Sequence, residues 1–250
     1  MKIIAIATHK GGPGKTTTAI NLSAYFAIEG KNTQLIDLDP QGHASLGLGV
    51  DIGLDVPTIA DALQDKNHGI EKVKVKINDT LQVIPSNIRL ARVAESLYGA
   101  VKREERLATV LRNDSHGIDF TVIDCPPSLG TLTANALTCA DLVIIPCEMG
   151  ARAGDGLVDL LETLFLLKGD GFKNWKILLN KIDPRKTVTN EAVMKSLEPY
   201  KQQILKTQIG ASEVLNQSQM AGIDIFRFDP KGKAAETFQQ LGREILNLLK

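Results

Sequence analysis

Lys10-Gly11-Gly12-Pro13-Gly14-Lys15-Thr16-Thr17 is the run of this sequence whose residue types can do chemistry together. Glycines at 11, 12 and 14 let successive backbone N–H groups turn inward around an anion. A helix opening at about residue 15 adds the positive end of its dipole. In such a loop Lys15 reaches the β- and γ-phosphates of a nucleoside triphosphate, and the Thr16 hydroxyl coordinates Mg²⁺. The plain G-x-x-x-x-G-K-[ST] spacing is not met, because His9 stands where its first glycine would be. Pro13 fixes φ and lacks an N–H, so it offers no donor to a phosphate.

Carboxylates complete the set. A strand over Thr33–Asp37 runs into Asp37-Leu38-Asp39-Pro40-Gln41-Gly42. Residues two apart in a strand share a face, so Asp37 and Asp39 are expected to point together toward the loop. The alternative is that either one caps the turn at Pro40. Phe120-Thr121-Val122-Ile123-Asp124-Cys125-Pro126-Pro127 is a buried strand ending in a carboxylate, which suits Asp124 to hold Mg²⁺ through water. Asn180-Lys181-Ile182-Asp183 ends another strand and resembles the N-K-x-D run that selects guanine, which keeps GTP open beside ATP.

On these motifs the chain resembles the ParA/MinD family of deviant Walker A ATPases, whose loop reads K-G-G-x-G-K-[ST]-[ST]. The D-x-D-P-Q-G run, the D-x-P-P run, Thr16–Ala27, Gly47-Leu48-Gly49-Val50 and Phe228-Asp229-Pro230 extend the likeness over most of the chain. It is most similar to the ParA (Soj-like) partitioning ATPases and the McdA-type carboxysome-positioning ATPases. The resemblance implies Lys10, Lys15 and Asp39 as catalytic residues. Lys10 would reach across an ATP-sandwich homodimer to the partner's phosphates, and Asp39 would orient the attacking water. Gly11, Gly12, Pro13, Gly14, Lys15, Thr16, Thr17 and Asn180 would hold ATP, with Asn180 on adenine. Thr16, Asp37 and Asp124 would serve the Mg²⁺. The resemblance also implies weak hydrolysis stimulated by a ParB-like or McdB-like adaptor, nonspecific DNA binding, and a place on the nucleoid in the cytoplasm.

There are departures. Cys147-Glu148-Met149-Gly150-Ala151-Arg152-Ala153-Gly154-Asp155-Gly156 stands where partitioning ATPases carry an acidic residue and aromatics before Glu-Gly. Ala211, Ser212 and Val214 stand where the family has arginines that grip DNA. Arg227, Lys231 and Lys233, with Arg185, Lys186 and Lys206 near them after folding, are the remaining candidates for a DNA surface.

Elements must position these residues. Short apolar runs at Ile3–Ile6, Thr33–Asp37, Leu81–Pro85, Phe120–Asp124, Leu142–Pro146 and Lys176–Leu179 read as strands buried on both faces. Helical patterns fall at about 15–29, 57–64, 87–98, 103–112, 131–138, 153–168, 189–200, 212–221 and 233–249, with Thr58, Thr189 and Ser212 as N-caps. The alternation predicts an α/β fold, a mostly parallel twisted sheet flanked by helices, in one domain over residues 1–250. The helix at 233–249 has an apolar stripe of Phe238, Leu241, Ile245, Leu248 and Leu249. Its polar face mixes acidic and basic residues, so core packing is expected rather than a membrane tail.

Composition narrows the function classes. The chain has 250 residues, 43% hydrophobic and 23% charged, with zero net charge, so any DNA contact must come from a local patch. No run approaches the roughly 20 apolar residues of a membrane helix. The three cysteines, Cys125, Cys139 and Cys147, lack metal-ligand spacing and read as reduced structural thiols, which weighs against an iron–sulfur electron carrier. A membrane-associated MinD-like switch is the remaining alternative.

Overall fold

A computed structural model describes residues 1–65, 69–113, 116–150, 154 and 156–250. Ala151, Arg152, Ala153 and Asp155 of the departing stretch lie outside the described residues. Among those described, seven strands form one sheet: β1 Lys2–Ile6, β2 Thr33–Asp37, β3 Val75–Lys76, β4 Leu81–Ile84, β5 Phe120–Asp124, β6 Leu142–Glu148 and β7 Trp175–Asn180. Their order is β3-β4-β2-β5-β1-β6-β7, and every pairing is parallel except β3 with β4. Beyond β7 the backbone at 205–211 continues the edge without a regular strand, through Leu205 N–H to the Ile177 carbonyl and Ile209 N–H to the Leu179 carbonyl, 2.9 Å each.

The helices are α1 Lys15–Ile28, α2 His43–Leu46, α3 Ile59–Gln64, α4 Arg89–Ser96, α5 Arg106–Asn113, α6 Thr131–Cys139, α7 Leu157–Lys168, α8 Thr187–Ser196, α9 Glu213–Met220, α10 Ile225–Phe228 and α11 Lys233–Leu248. They cover both faces of the sheet. The strand period of two divides the core accordingly: Ile3 and Ala5 of β1 face one apolar cluster, and Ile4 and Ile6 face the other. The second cluster includes Ile20 and Tyr25 of α1 and Phe238 of α11. The two helices approach closely because position 242 is glycine; a Cβ there would stand 2.0 Å from Cδ1 of Tyr25.

The six expected strands are present. Thr58 caps α3 in a capping box with Asp61, each satisfying a backbone donor of the other's end. One expected cap fails: Thr189 lies inside α8, which begins at Thr187. Ser212 does stand at the N-cap position of α9, without a side-chain cap bond. In α11, Phe238, Leu241 and Ile245 are buried, as the sequence pattern predicts, whereas Leu248 at the end of the stripe is exposed. No helix among the described residues is long and apolar enough to cross a membrane.

Candidate nucleotide site

The glycine loop leaves β1 and enters α1 at the carboxyl edge of the sheet, where ligands of open parallel sheets bind. Gly12 and Gly14 adopt φ of 95° and 92°, a left-handed conformation that side chains resist. Gly14 occupies the N-cap position of α1, with no side-chain cap bond and no acidic residue in the first turn. The first N–H groups of α1 are therefore free of competing side-chain carboxylates, which suits an anion.

Lys15 is buried at 7% exposure, and its Nζ donates to the Lys10 carbonyl at 3.0 Å. Burial pulls its pKa down, while the charges of Asp124, Cys125 and Asp39 push the other way. An ammonium held on a loop carbonyl among carboxylates is positioned to exchange that carbonyl for phosphate oxygens.

Asp37 and Asp124 lie opposite each other on the neighbouring parallel strands β2 and β5. Both are fully buried. Burial raises the carboxyl of Asp124 well above the usual range; the charge of Asp37 adds to this, and the Thr16 hydroxyl bond opposes it. Thr16 Oγ1 donates to Asp124 Oδ2 at 2.7 Å, while Oδ1 is buried without a protein partner. Burial likewise raises Asp37, to about 6, against the lowering effect of its hydrogen bonds.

The arrangement fits a divalent cation beside Thr16. Two buried carboxylates repel each other, and one carries an orphan oxygen. Among the described residues no group of three or more His, Cys, Asp or Glu side chains forms a cage. The few protein ligands suit Mg²⁺, which keeps waters and takes phosphate oxygens rather than a full protein cage.

Asp37 and Asp39 both act on Asp124 by charge but are held differently. β2 ends at Asp37, and the chain turns so that the Asp39 N–H donates to Asp37 Oδ1 at 3.2 Å. Asp37 Oδ2 accepts from the Ser45 N–H at 2.8 Å and the Ser45 hydroxyl at 2.7 Å. Asp37 thus ties α2 to the strand end beside Asp124. Asp39 is half-buried, with Oδ1 accepting from the Gln41 N–H at 3.0 Å, and its charge is felt at Lys15.

Asn180, at the end of β7, is brought to the loop. Its Nδ2 donates to the Pro13 carbonyl at 2.7 Å, and its Oδ1 accepts from the Lys181 N–H at 2.8 Å. The fit requires glycine at 14, since a Cβ there would stand 2.2 Å from Asn180 Nδ2. Thr17 Oγ1 donates to Gln219 Oε1 of α9 at 3.3 Å, joining the loop helix to the C-terminal layer. A 210 Å³ cavity lies just past Asn180, lined by Ile182, Ile209, Ala211, Leu215 and Lys233 among others.

Several partners in this layer were not foreseen. Ser45 was missed because four-residue α2 is too short to show a period. His9 Nδ1 meets Asp159 Oδ2 of α7 at 3.1 Å, and Lys181 Nζ stands 3.8 Å from Glu148 Oε2. Neither pairing has a signal in the linear sequence.

The expected DNA residues do not form one group of open cations. Arg227 Nε donates to the buried Asp224 at 2.5 Å, so its charge is compensated, and it lines a groove with Val50 and Ile77. Lys231 and Lys233 are exposed, and Lys233 shares a cavity wall with Pro184. Arg185 is exposed but paired with Asp183.

The strand order, the glycine turn into α1 and the buried aspartate at the end of β5 define a P-loop nucleoside triphosphatase fold. The family described as AAA domain matches residues 1–177. The sporulation initiation inhibitor protein Soj of Bacillus subtilis is 36% identical over 247 residues, covering 98% of each chain. The apo McdA structure from Cyanothece superposes with a TM-score of 0.85 at 24% identity, over 98% of this chain and 99% of that one. A Mycobacterium smegmatis structure described as cobyrinic acid a,c-diamide synthase, with bound ATP analogue and magnesium, gives 0.86 at 28% identity, over 100% and 96%. The chain belongs to the Soj/ParA family of partitioning ATPases.

Proposed function

We propose that this chain is a weak, partner-stimulated ATP hydrolase that closes as an ATP-sandwich homodimer. The dimer holds DNA without sequence preference and positions or partitions a cargo through an adaptor protein. The observation that carries the reading is the meeting of Lys15, Thr16 and Asp124 at one glycine loop, with the charge of Asp39 felt at Lys15.

Residues 1–250 act as one nucleotide-binding domain, since elements from β1 to α11 contribute to the cores of a single sheet. The N–H groups of Gly11, Gly12, Gly14, Lys15, Thr16 and Thr17 hold phosphate oxygens. Lys15 leaves the Lys10 carbonyl to bind the β- and γ-phosphates. The Thr16 hydroxyl, and Asp124 through water, would hold Mg²⁺, which would supply positive charge against the phosphates. Asp37 keeps α2 in place at the strand end beside Asp124. Asp39 accepts a hydrogen bond from the attacking water and sets it in line. Lys10 acts on the partner subunit's phosphates, as an arginine finger would. Asn180 fixes the side of the loop on which the base lies, next to the cavity past Ile182.

DNA contact rests on Lys231 and Lys233 rather than Arg227, whose charge Asp224 already answers. Cargo and adaptor stay at the level of class: a plasmid, chromosome or carboxysome-like body, and a ParB-like or McdB-like protein. For the membrane-associated alternative, α11 does not offer its apolar stripe, since Phe238, Leu241 and Ile245 are core residues.

The test is retention of the Asp39→Ala protein on DNA with ATP, with ADP and without nucleotide, across a salt series. The reading expects retention with ATP alone, falling steeply as salt rises. Lys15→Ala should bind no nucleotide and show no retention. Equal retention in all nucleotide states, or none at low salt with ATP, rejects the DNA-riding switch.

A further inference from the structure

Asp37 shares its two carboxylate oxygens between the two ends of one segment. Oδ1 accepts from the Asp39 N–H at 3.2 Å, while Oδ2 accepts from the N–H and the hydroxyl of Ser45, at 2.8 and 2.7 Å. The segment 38–44 carries Asp39. The Leu38 N–H ties its start to the Asp124 carbonyl, and the Gly42 N–H folds it back onto the Asp39 carbonyl, 2.9 Å each. The Gln41 N–H fixes Asp39 Oδ1 at 3.0 Å. Leu38 and Ser45 are fully buried, whereas Asp39 is half-buried and Gln41 and His43 are exposed. The ends therefore set the shape of the segment, and Ser45 closes it.

The Ser45 hydroxyl is itself held. A buried hydroxyl needs partners for both its hydrogen and its lone pairs. That of Ser45 donates to Asp37 and accepts from the Ser86 N–H at 3.2 Å, which links α2 to the chain just past β4. Space beside it is tight: Gly42 has a φ of 66°, and a Cβ on it would stand 2.8 Å from the Ser86 carbonyl oxygen.

We propose that Ser45 is a positioning residue for hydrolysis, which with Asp37 closes the segment 38–44 and so fixes where Asp39 holds its carboxylate. The proposal rests on the reading above, in which Asp39 orients the attacking water, and adds the group that keeps that carboxylate in line.

The glycine loop is held from elsewhere, by Asn180 on the Pro13 carbonyl and by Lys15 on the Lys10 carbonyl. Loss of the Ser45 hydroxyl should therefore leave ATP binding intact and act on turnover. A misplacement of about 1 Å can cost roughly a hundredfold in rate. Ser45→Ala keeps the backbone N–H bond to Asp37, so the loosening is partial and the expected fall in kcat is about tenfold.

The experiment measures single-turnover ATP hydrolysis with Mg²⁺ and, separately, affinity for a fluorescent ATP analogue, on the full chain. Ser45→Ala disturbs the segment from its end and Gly42→Ala from within. Both should bind the analogue within about twofold of wild type and hydrolyse ATP about tenfold more slowly. Ser86→Ala is the packing control: its Oγ is buried without a hydrogen-bond partner among the described residues, so both values should stay at wild type. Wild-type turnover in Ser45→Ala, loss of affinity in step with turnover, or equal slowing by Ser86→Ala overturns the proposal. Asp39→Ala separates the two levels. If it hydrolyses normally, the reading of Asp39 falls and the proposal with it; if it is inactive while Ser45→Ala is normal, the proposal alone falls.

Discussion

Burying the paired carboxylates should cost the nucleotide-free protein stability, and Asp37 shows how much. Its carboxyl rises from the ordinary 3.8 to about 6 in the fold, chiefly because it is buried. At low pH the group is protonated in both folded and unfolded chains. As pH rises above 3.8 the unfolded chain ionises first, so stability falls until about pH 6 and stays low above it. The full loss is about 3 kcal/mol at neutral pH. Asp37→Asn removes the charge. Its amide oxygen can still accept from Ser45, but its nitrogen faces the Asp39 N–H, forfeiting a bond of about 1 kcal/mol. Relative to wild type, the variant should gain about 2 kcal/mol between pH 4 and pH 8. Urea unfolding of both proteins in EDTA at these two pH values measures the difference. A stability difference that does not change with pH would refute the idea that Asp37 carries a costly buried charge.

Two glycine substitutions test other parts of the account. Gly14→Ala forces a Cβ into Asn180 Nδ2 at a φ of 92°. It should leave the fold intact by circular dichroism but reduce ATP affinity at least about tenfold, the effect of about 1.4 kcal/mol; normal affinity would show that the Asn180 contact does not shape the loop. Gly242→Ala drives a Cβ into the Tyr25 ring between α1 and α11. Overpacking of about 1–3 kcal/mol should outweigh the helix-propensity gain of about 1 kcal/mol, and a urea midpoint at or above wild type would contradict that packing.

Much of the fold was legible because buried parallel strands are apolar on both faces. Ile3–Ile6 and Leu142–Pro146 stand out without an alignment, the second running two residues further in the fold, to Glu148. The loop residues were legible for a different reason: glycine, lysine and threonine at those spacings have few other uses beside an anion. Elements shorter than a helical period escaped. α2 and α10 have four residues each, too few to show a stripe, yet α2 carries the Ser45 that holds Asp37. Contacts across the sheet also escaped. Asn180 and Pro13 lie 167 positions apart, and only the register of β7 beside β6 and of β6 beside β1 brings them together. Charge reading failed where a partner was buried: Arg227 looks like an open cation until Asp224 is placed beneath it. By contrast, Asp183-Pro184-Arg185 had a local signal, since an aspartate followed by proline favours a turn that brings the next side chain back.

The central claim is that ATP assembles the working form of this protein. The direct measurement is sedimentation of Asp39→Ala with Mg²⁺ and either ATP or ADP, at a concentration where every chain has nucleotide bound. The account predicts a dimer with ATP and a monomer with ADP, and a monomer with ATP when Lys10→Ala is added. A monomer in both nucleotide states, with ATP demonstrably bound, would contradict it.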